Sequence, residues 1–196
     1  MNPIVLVGHT LRQHLYDIPE LSIGDFLIWD WRSCVCILGI RIPSVSSTNE
    51  TFIAGICKQV QDPPFCLNTF RKILAHPYVP AEVTRAAIAQ SLQNANNNHA
   101  FIQVAKAAAK DKETQDLYGI CDSSYGLMII VLQDAAQSLA KKDYNGLETD
   151  LSRCPKFVSD CQNALGSKTT PQILDRSRKQ IDLIIMSKVA EGLIKK

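Results

Sequence analysis

Seven cysteines and four histidines carry this 196-residue chain's capacity for redox, nucleophilic or metal chemistry. His9, His14, His76 and His99 stand singly, with no glutamate or second histidine at metal-ligand spacing. His99 beside Asn98 has the makings of an acid–base group, but on an amphipathic helix it reads as a surface or boundary histidine. Cys34, Cys36, Cys57 and Cys66 do not have the spacing of a zinc motif. A Cys–His nucleophile would have to use Cys154, which helical periodicity turns inward as an inert thiol. No glycine-rich phosphate loop occurs. What remains for the thiols is pairing with one another, and the odd count leaves at least one single.

The elements that position those thiols are helices. Prolines at 63, 64, 77, 80, 155 and 171 punctuate long stretches rich in alanine, leucine and isoleucine, and proline starts or stops helices. Ser47-Thr48-Asn49-Glu50 fits a capping box, opening a short helix through Phe52, Ile53, Ile56 and Cys57. Asp62-Pro63-Pro64 then forces a turn into a second short helix, from 65 to about 75. Four long helices follow. Residues 80 to about 110 carry Ile88, Leu92, Ala95 and Ile102 on one face. Residues 112 to about 140 place Leu117, Cys121, Ser124, Met128, Val131 and Ala135 together. A third stripe runs through Leu147, Leu151, Cys154, Val158, Cys161 and Leu165, on a helix that Pro155 should bend. The last helix, 171 to about 194, offers Leu174, Ile181, Ile184 and Ile185. Short links make neighbouring helices antiparallel, which predicts an up-down-up-down four-helix bundle behind an N-terminal helical hairpin.

The cysteines fit that topology. Cys57 and Cys66 lie nearly symmetrically about Gln61–Asp62. Cys121 lies twenty residues before Lys141 and Cys161 twenty after it, in a turn reading Lys141-Lys142-Asp143-Tyr144. Folding the chain back at each bend brings the thiols together in pairs, so the expected bridges are Cys57–Cys66 and Cys121–Cys161. The same reflection carries Cys154 onto Met128 and leaves it free. Two bridges require an oxidising compartment.

The remaining composition sets limits. Lys+Arg 21 against Asp+Glu 19 gives a net +2, without the basic excess of a nucleic-acid binder. No apolar run is long enough to span a membrane. Residues 1–47 hold both tryptophans, Trp29 and Trp31. There the run Cys34-Val35-Cys36-Ile37-Leu38-Gly39-Ile40 and the small residues Ser44-Val45-Ser46-Ser47 read as an extended secretory signal, although Asp25, Asp30 and Arg32 interrupt it. A poorly ordered tail is the alternative. The division is therefore a leader, 1–47, a hairpin, 48–76, and a bundle, 80–196. Asn49-Glu50-Thr51 makes Asn49 a glycosylation candidate if the chain is secreted.

Three stretches in order resemble the plant inhibitors of pectin methylesterase and invertase. Ile56-Cys57-Lys58-Gln59-Val60-Gln61-Asp62-Pro63-Pro64-Phe65-Cys66-Leu67 is similar to that family's first cysteine pair. Leu117-Tyr118-Gly119-Ile120-Cys121, with Tyr125 four residues on and Leu132 beyond, is similar to its third-cysteine motif. Asp143-Tyr144-Asn145-Gly146-Leu147, with Cys161 seventeen residues past Tyr144, is similar to its fourth-cysteine region. The resemblance spans about residues 50–196. The chain departs from the family at Ser152-Arg153-Cys154, where a Ser-Ala-Ala run is usual, at Pro155, and at Met128, where a small residue is usual.

The resemblance implies the same bundle, hairpin and two disulfides. It also implies a secreted cell-wall protein of the apoplast that is not an enzyme and uses no cofactor or metal. Such a protein acts as a monomer that binds and blocks a carbohydrate-active enzyme, either pectin methylesterase or a cell-wall or vacuolar invertase; a diverged bundle that binds without inhibiting is the alternative. Invertase-directed members resemble one another in a Pro-Lys-Phe tripeptide at the hairpin turn; here Pro155-Lys156-Phe157 falls inside the third long helix, and the turn favours pectin methylesterase. The polar positions available for contact are Gln90, Gln93, Asn94 and Asn97 on the first long helix, and Gln133, Asp134 and Gln137 on the second. Lys142, Asp143 and Tyr144 of the turn complete the set. A carrier bundle would instead need an apolar cavity where an inhibitor has a filled core.

Overall fold

Carboxylates, a threonine and prolines fix where the helices begin. The computed structural model describes residues 45–74 and 79–194, with side chains from residue 50 onward; all of these lie in one unit, Pro43–Lys196. The leader 1–47, apart from the backbone from residue 45, lies outside the described residues, as do His76 and the Asn49 side chain. The order is α1 (Val45–Cys57), α2 (Pro63–Ile73), α3 (Pro80–Ala108), α4 (Lys112–Ala140), α5 (Tyr144–Leu165), a 3-10 turn (Gly166–Lys168) and α6 (Pro171–Gly192).

Asp62, Asp111, Asp143 and Thr170 each accept a main-chain N–H three residues on, at 3.0, 2.8, 3.0 and 3.3 Å. Each such cap is worth about 1 kcal/mol. Pro63, Pro80 and Pro171 occupy first-turn positions, where a missing N–H costs nothing. The α4–α5 turn is a Schellman motif: Asp143 N–H reaches Ser138 O and Lys142 N–H reaches Leu139 O. The left-handed position that glycine usually takes there is held by Lys142, at φ 59°.

α3 packs on α4 and α6, and α5 packs on α4 and α6, closing a ring of four. Cross-helix contacts set the directions: His99 on α3 meets Asp122 on α4, and Asn98 and Asn94 on α3 meet Arg176 and Gln180 on α6. These registers make neighbours antiparallel. The bundle axis is filled by Tyr125, Met128, Leu132, Leu147, Leu151, Leu165 and Ile184. A separate apolar cluster joins the hairpin (Ile53, Ile56, Val60, Phe70) to Val83 and Ala87 of α3 and Leu183, Met186 and Ala190 of α6.

Two expectations are corrected. α1 already runs from Val45, so Ser47 lies inside the helix and cannot serve as its N-cap. Leu174 is 50% exposed, because Ile173, one residue earlier, takes the inward position. α5 runs through Pro155 as one helix.

Candidate target-binding surface

Both disulfides join neighbouring elements. Cys57 closes the hairpin on Cys66 with α-carbons 5.5 Å apart, and Cys121 joins α4 to Cys161 of α5 at 4.3 Å. Cys154 is free and buried; desolvation, reinforced by the negative charge of Asp150, pushes its thiol up to about 12. A thiol so far from ionisation is no nucleophile. With Cys57 and Cys66 bonded to each other, neither is available as a zinc ligand.

The polar positions divide by helix. On α3, Gln93 and Asn97 are exposed and Gln90 is half-buried. Asn94 differs from expectation: it donates to Gln180 Oε1 at 2.8 Å, and Gln180 in turn donates to Ser91 Oγ at 2.9 Å. Its carboxamide therefore serves the α3–α6 interface, where Asn98 also lies buried, accepting from Arg176 at 3.1 Å. On α4, Gln133, Asp134 and Gln137 are all exposed and continue toward the turn, where Lys142 and Asp143 are exposed. Tyr144 is half-buried and packs on the bundle core. With His99 opposite Asp122, the antiparallel register sets Gln90 level with the Val131 region.

Asp122 and Asp150 are shifted in opposite directions. Asp122 accepts from His99 Nε2 at 2.7 Å and Lys106 Nζ at 3.3 Å. Burial opposes its ionisation, but hydrogen bonds from Lys106, Gln103 and His99 and the Lys106 charge hold its carboxyl below the usual range. His99 is thus engaged in a partly exposed hydrogen bond between α3 and α4. At the α4–α5 end the balance reverses: burial first, then Asp134 and Asp143, raise the Asp150 carboxyl.

A third feature was not anticipated. Ile120, Leu127 and Ile130 are exposed at 48%, 53% and 53%, which places them along the outer side of α4. They repeat at steps of seven and three, out of phase with the inward stripe through Cys121, Met128 and Ala135. That second phase is legible in the sequence once the inward one is subtracted. Pro155-Lys156-Phe157 lies within α5, with Lys156 paired to Asp160 at 2.7 Å and Phe157 packed on the core.

Fold and surface together define an all-α, disulfide-bridged four-helix bundle carrying an N-terminal helical hairpin. The chain belongs to the plant invertase/pectin methylesterase inhibitor family, whose model matches residues 51–191. Membership places it among inhibitors of cell-wall enzymes. It is similar to mutant form A of a pectin methylesterase inhibitor from Arabidopsis, at 17% identity and TM-score 0.65, covering 72% of this chain and 95% of that one. It is also similar to a pectin methylesterase inhibitor from Arabidopsis thaliana, at 17% identity and TM-score 0.57, covering 76% and 99%. Among curated proteins none matches.

Proposed function

We propose that this chain is a secreted inhibitor that blocks pectin methylesterase by forming a protein complex in the plant cell wall. The observation that carries this reading is the family match across residues 51–191, which covers nearly the whole hairpin and bundle. The Pro-x-Phe-Cys-Leu segment at α2 and the Lys-Asp-Tyr-Asn α4–α5 turn favour the methylesterase as target. The bridges across the hairpin and across α4–α5 suit an oxidising compartment outside the cytosol.

The mechanism follows from rigidity. A surface held in its bound shape before contact loses little ordering entropy on association. Gln90, Gln93 and Asn97 of α3, Gln133, Asp134 and Gln137 of α4, and Lys142, Asp143 and Tyr144 of the turn supply polar contacts to a carbohydrate-binding cleft. Ile120, Leu127 and Ile130 supply the apolar part that interfaces place at their centre. Asn94 does not contribute, since its side chain is spent on Gln180.

Inhibition of cell-wall or vacuolar invertase is the second reading, supported by the family's breadth. Parallel activity assays of a plant pectin methylesterase, a cell-wall invertase and a vacuolar invertase with the purified chain separate the two. Loss of methylesterase activity alone supports the proposal; loss of invertase activity alone replaces it with the second reading.

A further inference from the structure

Asp182 lies in the middle of α6 with no solvent exposure. Burying a carboxylate is costly unless donors compensate it. Its donors are main-chain amides: Gln61 N–H reaches Oδ1 at 2.9 Å and Asp62 N–H reaches Oδ2 at 3.2 Å. Those two residues are the bend between α1 and α2, and the contacts span 121 and 120 residues of sequence. Asp62 meanwhile uses its own carboxylate to cap α2 through Phe65 N–H at 3.0 Å. The bend is therefore held on one side by α2 and on the other by α6.

The rest of the attachment is apolar and separate from the bundle's own core. The hairpin rests on Val83, Ala87, Leu183, Met186 and Ala190, a cluster distinct from the one that fills the bundle. Cys57–Cys66 closes the hairpin within itself, and Cys121–Cys161 closes the bundle within itself. No disulfide joins one to the other among the described residues.

We infer that Asp182 is a latch that docks the disulfide-closed hairpin on the bundle, and that the hairpin undocks from α3 and α6 as one body when the latch is broken. Both parts keep their internal bridges when they separate, so the opening is local and costs less than global unfolding. Removing the acceptor strands two main-chain donors in a part-buried site. An asparagine does nearly the same damage at equal size, because its NH2 faces an N–H where an oxygen stood.

Site-resolved amide hydrogen exchange on the full chain tests the latch. In Asp182→Asn, amides in the cores of α1 and α2 should exchange faster by a factor on the order of 10 to 100, while α4 and α5 amides stay within about threefold of wild type. Equal acceleration in all helices, or an unchanged hairpin, overturns the inference. Ser187→Ala is the control, since that buried hydroxyl bonds only Leu183 O within α6, at 2.9 Å. It should leave hairpin exchange unchanged; acceleration matching that of Asp182→Asn would assign the effect to α6 packing and overturn the latch. The wild-type chain gives an independent reading in low denaturant: α1 and α2 amides should share one opening event that precedes the opening of α4 and α5. Hairpin amides lost only together with α4 and α5 would contradict it.

Discussion

Cys121 on α4 is bonded to Cys161 on α5, forty residues apart in sequence with α-carbons 4.3 Å apart, at a point where both side chains are fully buried. The bond closes a long loop through the α4–α5 turn and so restricts the unfolded chain more than the short hairpin bridge does. On the loop-entropy account, replacing both cysteines with alanine should lower stability by about 4 kcal/mol, and replacing Cys57 and Cys66 by about 3 kcal/mol. Denaturant midpoints of the two double variants check the order. A hairpin bridge that costs as much as or more than the α4–α5 bridge would contradict it.

Cys154 should be silent in the native protein. Its thiol is buried, and desolvation together with Asp150 pushes it up to about 12, so at pH 8 it carries almost no thiolate. Alkylation followed by peptide mapping should leave it unmodified in the folded chain. Unfolding without reductant should then place one adduct on Cys154 and none on Cys57, Cys66, Cys121 or Cys161.

Lys142 occupies a left-handed backbone position at the α4–α5 turn, φ 59°, that an L-residue with a Cβ holds at a cost. Glycine relieves that strain while keeping the Schellman bonds, which use only main-chain atoms. Lys142→Gly should raise stability by about 0.5–1 kcal/mol despite glycine's greater freedom in the unfolded chain. Thermal or urea unfolding reads the effect.

Asp150 carries the opposite kind of penalty. Burial, Asp134 and Asp143 raise its folded-state pKa above the ordinary value of 3.8, so the folded protein binds this proton more tightly than the unfolded chain. Its charged form costs stability at neutral pH, and the cost disappears as pH falls below the ordinary carboxylate value. Asp150→Asn should therefore stabilise the chain at pH 7 by ~0.5 kcal/mol. The gain should vanish near pH 3, and unfolding midpoints across that range would show it.

The helices and bridges were legible because each rests on a periodic or symmetric feature of the sequence. Inward stripes such as Leu147, Leu151, Cys154, Val158 and Cys161 repeat at fours and threes, and reflection through Gln61–Asp62 and Lys141 brings the bonded cysteines together. What stayed hidden depends on partners far along the chain. Nothing near Asp182 in the sequence signals that its oxygens meet main-chain amides of residues 61 and 62. By residue type Asn94 is one of a run of amides. By phase it lies close to Ser91 and Asn98, the buried polar side of α3 that bonds α6. The capping pattern at Ser47 was satisfied in letter, yet α1 runs past it to Val45. The outward Ile120, Leu127 and Ile130 were masked because α4 is apolar on two sides, and only one of them could be the core.

Titration of a plant pectin methylesterase with the purified chain in mildly acidic buffer tests the central claim most directly. Esterase activity should fall linearly and reach its floor near one molecule of inhibitor per enzyme. Full activity at a tenfold molar excess of folded, correctly bridged chain would contradict the claim.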